Sequence, residues 1–277
     1  MSRKWLEETF RVRKPVIGMV HLLPLPGSPL YDPIHTGMPQ LAAIAVEDAL
    51  HLESGGVDGL QVENIWDYPY LKGSDIGYET VAAMTEITAK VREATALPVG
   101  VNCHLNGGFA ATAVAVATGA KWVRVFEWVN AYVSHAGVIE GIGSKLSRYR
   151  SSLKADEVKY LCDVNVKHGS HFIISDRSIA EQAHDAESEG ADLLVATGFE
   201  TGIPPTREKV RELASAVSLP VLLGSGITAS NVAELLSCSD GAIIGSAFKY
   251  DGNWKNRVSE ENTRAFMREA RLVQVGD

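Results

Sequence analysis

Two short apolar runs that each break into Gly-Ser decide the fold of this chain. They read VLLGSGI at residues 221–227 and GAIIGS at residues 241–246. A parallel strand that is covered on both faces is nearly continuous in Val, Leu and Ile, and both runs have this character. The strand exits at Gly226 and Gly245 lie 19 residues apart, which leaves room for one short helix between two parallel strands. The pair is therefore typical of strands 7 and 8 of a (β/α)8 barrel.

The residues at these two strand exits are candidate phosphate ligands. A glycine has no Cβ, so its backbone N–H group can approach an anion closely. In (β/α)8 barrels the loops after strands 7 and 8 often hold a phosphate at a helix N-terminus. A single Gly-Ser could equally be an ordinary turn, so the prediction of a phosphate site depends on the presence of two such strand exits. The predicted phosphate-binding residues are Gly224, Ser225, Gly226, Gly245 and Ser246.

Length and composition fit a single globular unit. The chain has 277 residues, of which 45% are hydrophobic and 22% charged. This suits one barrel domain of about 250 residues with insertions, or two ordinary domains. Eight predicted βα units without a linker favour the first, so we take 1–277 as a single (β/α)8 barrel domain with a helical extension at 1–14. We expect a homo-oligomer because barrels of this kind often pair, although no feature of this sequence demonstrates it.

Charge and cysteine content exclude several classes of protein. The net charge is −8 and no stripe of Lys and Arg stands out, which argues against nucleic acid as a partner. The three cysteines are far apart and lack metal-ligand spacing. The first residues do not resemble a signal peptide, and no 18-residue apolar run occurs. We therefore expect a soluble, cytoplasmic protein without an integral membrane segment.

A strand–helix rhythm fills the rest of the chain. The short helix within residues 1–14 is expected to lie against the bottom of the barrel. Six strands precede the two described above, at Val16–His21, Gly59–Glu63, Val99–His104, Trp122–Phe126, Tyr160–Lys167 and Leu193–Thr197. Helices are predicted at about 39–54, 78–96, 108–118, 177–188 and 259–272, and also after Thr206.

Two segments interrupt this rhythm. Residues 22–39 contain five prolines, which rules out a helix or a central strand. Residues 127–152 form an insertion that ends in Lys145, Arg148 and Arg150. The predicted fold class is therefore α/β, a single (β/α)8 TIM barrel with a short N-terminal helix and long loops after strands 1 and 4.

Alternation along the strands predicts which side chains face the barrel axis. In the fifth strand the apolar Cys162, Val164 and Val166 should face the helices, so the polar residues between them should face inward. Buried charges cost several kcal/mol unless they are paired or used. In the fourth strand the alternation does not decide whether Arg124 faces inward or outward. The residues that it directs inward are His21, Gln61, Glu63, Asn102, His104, Asp163, Asn165 and Lys167.

These residues give the candidate site. The predicted catalytic residues are Glu63, Lys167, His21, Asp163 and Asn102, and the other predicted substrate ligands are Asn165, His104, His168 and Arg148. The alternative is a buried polar network in which Lys167 pairs with Asp163 or Glu63 and only rigidifies the barrel.

The chemistry of these groups favours proton transfer. A buried lysine with a lowered pKa can act as a base or a Schiff-base nucleophile. Desolvation should raise the pKa of Glu63, which would make it a plausible base. With a phosphate anchor across the barrel, this suits proton abstraction next to a carbonyl, or cleavage of a C–C or C–N bond. No cofactor is expected, although a divalent metal and FMN remain open alternatives.

Several motifs occur in order along nearly the whole chain. They are VIGMVHLLPLPGSP at 16–29, VEN at 62–64 with Asp67 and Pro69, GVN at 100–102, RYR at 148–150, DVNVKH at 163–168 and GSG at 224–226. In these motifs the chain resembles the BtpA/SgcQ family, and the His-Leu-x-Pro-Leu-Pro-Gly element is the specific one. The resemblance implies a phosphate-binding type of TIM barrel. It also implies a link with sugar or nucleoside catabolism or, in photosynthetic organisms, with photosystem I accumulation at the thylakoid surface.

Three hypotheses follow. The first is an enzyme of the lyase, hydrolase or isomerase type that acts on a phosphorylated sugar or nucleoside. The second is a non-catalytic factor for photosystem I biogenesis or assembly. The third is a barrel that binds FMN through the same two loops.

Overall fold

A computed structural model describes residues 2–198 and 202–274. Within these residues, eight parallel strands close into a barrel in the order β1-β10-β9-β8-β7-β4-β3-β2. The barrel strands are β1 Val16–His21, β2 Gly59–Glu63, β3 Val99–Asn102, β4 Trp122–Val125, β7 Lys159–Val164, β8 Leu193–Ala196, β9 Val221–Leu223 and β10 Gly241–Ile244. The predicted (β/α)8 TIM barrel is confirmed.

A helix follows each barrel strand, and one more precedes the barrel. The helices are α1 Ser2–Phe10, α2 Met38–Ser54, α3 Tyr78–Ala94, α4 Gly108–Thr118, α5 Gly143–Ser152, α6 Ile179–Ser188, α7 Arg207–Ala216, α8 Val232–Leu236 and α9 Glu260–Gln274. Local sequence sets their ends. Ser178 and Glu181 form a capping box at the start of α6, and the Thr206 side chain accepts a hydrogen bond from the Lys209 N–H at the start of α7. In the described part of the chain, no helix combines the length and apolar character needed to cross a membrane.

The N-terminal helix closes the bottom of the barrel, as predicted. Leu6 and Phe10 of α1 are buried against the lowest layer of inward-facing side chains. The Phe10 ring lies 5.2 Å from the Trp122 ring, measured between centroids. Gly100 makes room for that indole, since a Cβ at this position would lie 2.0 Å from it. The lumen is therefore filled from below, and its cavity opens at the top.

The insertion after β4 is more structured than predicted. It contains an antiparallel hairpin, β5 Ala131–Ser134 and β6 Gly137–Glu140, followed by α5. The sequence gives a weak signal for α5 because this helix is polar and buries only Gly143 and Leu146. Helix α5 is thus the fourth helix of the barrel, and the hairpin lies at the barrel mouth.

A buried acid anchors the segment after β10. Asp48 of α2 accepts hydrogen bonds from Arg257 Nε at 2.9 Å and from the Val258 N–H at 3.1 Å. Lys249 Nζ lies 3.5 Å from the same carboxylate, and both side chains are almost fully buried. Because buried charges need partners, this cluster fixes residues 245–259 to the barrel wall.

We predict that Asp48→Asn lowers the free energy of unfolding by about 3–5 kcal/mol, because it leaves the Lys249 ammonium buried without an anion. Urea unfolding followed by circular dichroism measures the change. The control is Glu93→Gln, which removes an exposed ion pair with Lys90 and should cost less than about 1 kcal/mol. The double variant Asp48→Leu/Lys249→Met should recover most of the loss, and equal effects of Asp48→Asn and Glu93→Gln would contradict the account.

Candidate active site

A cavity of about 660 Å³ opens at the carboxyl ends of the barrel strands. This is the face that carries the active site in this fold. Ten of the residues predicted from the sequence line it: His21, Glu63, His104, Lys167, His168, Gly224, Ser225, Gly226, Gly245 and Ser246. The charged groups of the early strands and the glycine loops of the last two strands therefore share one cavity.

Glu63, at the end of β2, is the centre of a hydrogen-bonded group. Asn102 Nδ2 donates to Glu63 Oε2 at 2.6 Å, and His104 Nε2 lies 3.3 Å from Oε1. Burial alone would raise the pKa of Glu63, but His104, His21 and Arg124 hold the pKa well below its usual range. The predicted rise in this pKa is wrong, because desolvation was considered without the neighbouring donors. Glu63 is an ionised carboxylate at neutral pH.

His21, at the end of β1, presents a hydrogen-bond acceptor to the cavity. Its Nδ1 lies 3.4 Å from the carbonyl oxygen of Trp254. A carbonyl can only accept, so in the neutral ring Nδ1 carries the proton and Nε2 is bare. Burial and the charge of Lys249 lower the pKa of His21 to about 4. His21 Nε2 lies 4.0 Å from Glu63 Oε1. These two hydrogen-bond acceptors are close enough for one donor group of a ligand to contact both.

The ambiguous Arg124 of β4 faces the lumen and lines the cavity. It forms a buried bidentate ion pair with Asp163, with Nε–Oδ1 and Nη2–Oδ2 distances of 3.0 and 2.9 Å. Asp163 therefore supports Arg124 from β7, next to the cavity wall. The predicted alternative in which Lys167 pairs with Asp163 is not observed, because the two carboxylate oxygens are bonded to the guanidinium.

Lys167 lies in the loop after β7 and reaches across to the loop after β9. Its Nζ is 3.4 Å from Ser225 Oγ. Burial, together with the positive charge of Arg124, lowers the pKa of Lys167 to about 8. Lys167 is mainly an ammonium at pH 7 and becomes an amine within one or two pH units above that value.

The glycines of the last two loops permit close approach of the backbone to other groups. Gly226 has a φ of +69°, and a Cβ on it would lie 2.1 Å from the backbone nitrogen of Pro204. A Cβ on Gly245 would lie 3.2 Å from Cε1 of His21. The N–H of Gly224 is already bonded to the carbonyl oxygen of Ala196, so this group holds the strand end in place.

Two predicted ligands lie outside the cavity. Strand β7 ends at Val164, and Asn165 adopts a φ of +56°. Alternation stops there, so Val166 lines the main cavity while Asn165 lines a smaller one. The inward orientation predicted for Asn165 is therefore wrong. Arg148 is exposed on α5, where its Nη1 donates to the Ser144 carbonyl oxygen.

Four aromatic residues of the cavity lie outside the predicted strands. Tyr70, Tyr132, His135 and Trp254 line it from loops and from the hairpin. Strand alternation cannot place residues outside strands, so the only available signal was the aromatic density of WDYPY at 66–70.

A metal site is not evident in this part of the fold. Across residues 2–198 and 202–274, no group of three or more His, Cys, Asp or Glu side chains converges in a way that could hold a metal ion. Glu63 is instead surrounded by the Asn102 amide and two imidazoles.

Sequence comparison places the chain among known relatives. A model of the BtpA family matches residues 12–272. A protein of Archaeoglobus fulgidus named as uncharacterized is 37% identical over 260 residues, which cover 94% of this chain and 100% of the relative. The photosystem I biogenesis protein BtpA of Synechocystis is 36% identical over 265 residues, which cover 95% of this chain and 90% of the relative.

Solved structures share the fold at low sequence identity. Thiamine phosphate pyrophosphorylase from Pyrococcus furiosus is 17% identical, with a TM-score of 0.60 and coverage of 95% of this chain and 98% of that chain. (S)-3-O-geranylgeranylglyceryl phosphate synthase from Thermoplasma acidophilum, in complex with its substrate sn-glycerol-1-phosphate, is 15% identical. Its TM-score is 0.62, with coverage of 99% of both chains.

The match over residues 12–272 and the identity to these relatives agree with the motifs and with the barrel. The chain belongs to the BtpA family.

Proposed function

We propose that this protein is an enzyme of the lyase, hydrolase or isomerase type that acts on a small phosphorylated sugar or nucleoside. The observation that carries the proposal is the shared cavity, in which Lys167 lies 3.4 Å from Ser225 of the glycine loop. A phosphate on the loops after β9 and β10 would hold the rest of a ligand between Lys167 and Glu63. Binding energy from a remote phosphate is a general means of positioning a reacting group.

The protonation states support acid–base chemistry. Glu63 is a carboxylate and His21 is a neutral imidazole with a bare Nε2. Lys167 has a pKa of about 8 and can supply either a proton or an amine near neutral pH. A base on one side of the ligand and an acid on the other are what proton transfer next to a carbonyl requires.

Other polar residues would position these groups. Asn102 orients the carboxylate of Glu63, and Asp163 holds Arg124 at the cavity wall. Arg124 adds a fixed positive charge, which would favour an anionic ligand or a developing oxyanion. His104 and His168 line the cavity as further candidate substrate ligands.

The Synechocystis relative favours a second candidate function. That protein is named for photosystem I biogenesis, so a non-catalytic role for the family fold is the alternative. The variants Glu63→Gln and Lys167→Met separate the two in a Synechocystis strain that lacks its own relative and carries this chain. An enzyme should lose its effect in both variants, whereas a non-catalytic factor should keep it if the folded protein accumulates.

We predict that inorganic phosphate at 10 mM raises the Tm. A dissociation constant of about 1 mM would stabilise the protein by about 1.4 kcal/mol, which corresponds to a rise of about 3–5 °C for a chain of this size. Differential scanning fluorimetry against sodium chloride of equal ionic strength measures this shift.

Gly245→Ala should abolish the phosphate shift, because its methyl group would lie 3.2 Å from His21 in the cavity. The matched control is Gly37→Ala, whose methyl group would lie 3.2 Å from the Pro33 carbonyl oxygen outside the cavity. An unchanged Tm in phosphate for the unmodified protein, or an equal shift in both variants, would count against a phosphate site at these loops.

We also predict that Lys167→Met stabilises the protein by about 1–3 kcal/mol at pH 7, since it removes a charge whose pKa is lowered by burial. Below pH 8 the lysine is charged in both the folded and the unfolded state, so the gain is complete there. Between about pH 8 and 10.5 only the unfolded state keeps the proton, and the gain should shrink.

Urea unfolding at pH 7 and pH 10 measures this difference. Lys90→Met, at an exposed position of α3, is the control and should change stability by less than about 0.5 kcal/mol at both pH values. If Lys167→Met instead lowered the free energy of unfolding, Lys167 would stabilise the fold, which would contradict the prediction that it destabilises the fold and serves function.

A further inference from the structure

The cavity has two chemically different sides. In the eight-strand ring, β3 and β9 are four strands apart and so lie on opposite sides of the barrel. Ser225 and Gly226 follow β9, whereas His104 follows β3 and stacks on Tyr70 with ring centroids 4.4 Å apart and planes at 21°. A ligand held by its phosphate on the glycine loops would extend across the mouth toward Tyr70.

The side opposite the glycine loops is aromatic and apolar. Leu105, Phe126, Tyr132 and Val166 form one buried cluster, and Tyr70 packs against it. Sugar hydroxyls buried on such a surface would lose their hydrogen bonds to water without replacement. A planar ring loses little and gains contact with aromatic faces.

Tyr70 is held in place before any ligand arrives. Its hydroxyl donates to the Ile65 carbonyl oxygen at 2.6 Å. The neighbouring Leu71 carbonyl oxygen accepts from the Leu105 N–H at 3.1 Å, which ties this loop to the segment after β3. Tyr70 lines the cavity with its hydroxyl already bonded and its ring stacked on His104, and this fixed position limits the entropy lost on binding.

The size of the cavity points in the same direction. A volume of about 660 Å³ lies within the roughly 300–1,000 Å³ range of small-molecule sites. A nucleoside monophosphate adds a planar base to the pentose phosphate and can reach both sides of this cavity, whereas a pentose phosphate on the glycine loops would leave the aromatic side empty.

We propose that the aromatic side, defined by Tyr70, Leu105, Phe126 and Tyr132, binds the base of a phosphorylated nucleoside. The ligand then spans the barrel mouth, with its phosphate on the loops after β9 and β10 and its sugar beside Glu63 and Lys167. This inference rests on the proposed function, because it takes the phosphate position from it.

Isothermal titration calorimetry on the full chain tests the inference with five probes: inorganic phosphate, ribose 5-phosphate, adenosine 5′-monophosphate, adenosine and octyl phosphate. We expect the nucleoside monophosphate to bind at least about tenfold more tightly than ribose 5-phosphate. Octyl phosphate has an apolar group but no ring, and should bind more weakly than the nucleotide.

Variants of Tyr70 locate the ring. Tyr70→Leu should remove the tenfold preference and leave the affinity for inorganic phosphate unchanged, whereas Tyr70→Phe, which keeps the ring, should retain the preference. Tyr149→Leu is the matched control, because this tyrosine packs on Phe109 outside the cavity. Its preference should equal that of the unmodified protein.

The outcomes separate this inference from the proposed function. Equal affinities for ribose 5-phosphate and the nucleotide would overturn the ring site and leave the phosphate site standing. Octyl phosphate binding as tightly as the nucleotide would show a general apolar surface and also overturn it. If no phosphorylated probe binds, the proposed function fails and the phosphorylated ligand of this inference fails with it. Tyr70-dependent binding of adenosine would then support only the base contact, and a lack of adenosine binding would overturn that contact as well.

Discussion

Charged side chains in the lumen of a closed barrel must have partners, and this constraint organises the upper half of the molecule. The lower half of the lumen is filled by apolar groups and by Phe10 of α1, so charge is confined to the open end. There Arg124 is bound by Asp163 and Glu63 by Asn102 and His104. These pairings occupy the two nearby carboxylates, and Lys167 Nζ lies 3.4 Å from Ser225 Oγ of the glycine loop.

The same constraint decides how much could be read from the sequence. His21 and Glu63 end regular strands, so alternation placed both of them in the cavity. Alternation failed for Asn165 because β7 stops one residue earlier and the backbone turns to a positive φ. The predicted direction of the Glu63 pKa shift was wrong for a related reason. A strand pattern indicates that a residue is buried, but it does not show which groups of other strands lie next to it.

Strand alternation does not predict the positions of loop residues. Arg148 belongs to a predicted insertion that forms a hairpin and helix α5, and it points to solvent from that helix. Tyr70 and Trp254 reach the cavity from segments without periodicity, and their positions depend on contacts distant in sequence, such as that between the Trp254 carbonyl and His21. The strand-end residues His21 and Glu63 were therefore predictable from strand pattern, whereas the orientation of Arg124 and the aromatic half of the site required the tertiary fold.

The central claim is that the groups of the early strands and the glycine loops of the last strands act on one ligand. A crystal structure of the protein soaked with ribose 5-phosphate tests it most directly. The account predicts the phosphate against the backbone of Gly226 and Gly245, with the sugar between Glu63 and Lys167. A phosphate bound elsewhere on the barrel, or a sugar that contacts neither Glu63 nor Lys167, would contradict it.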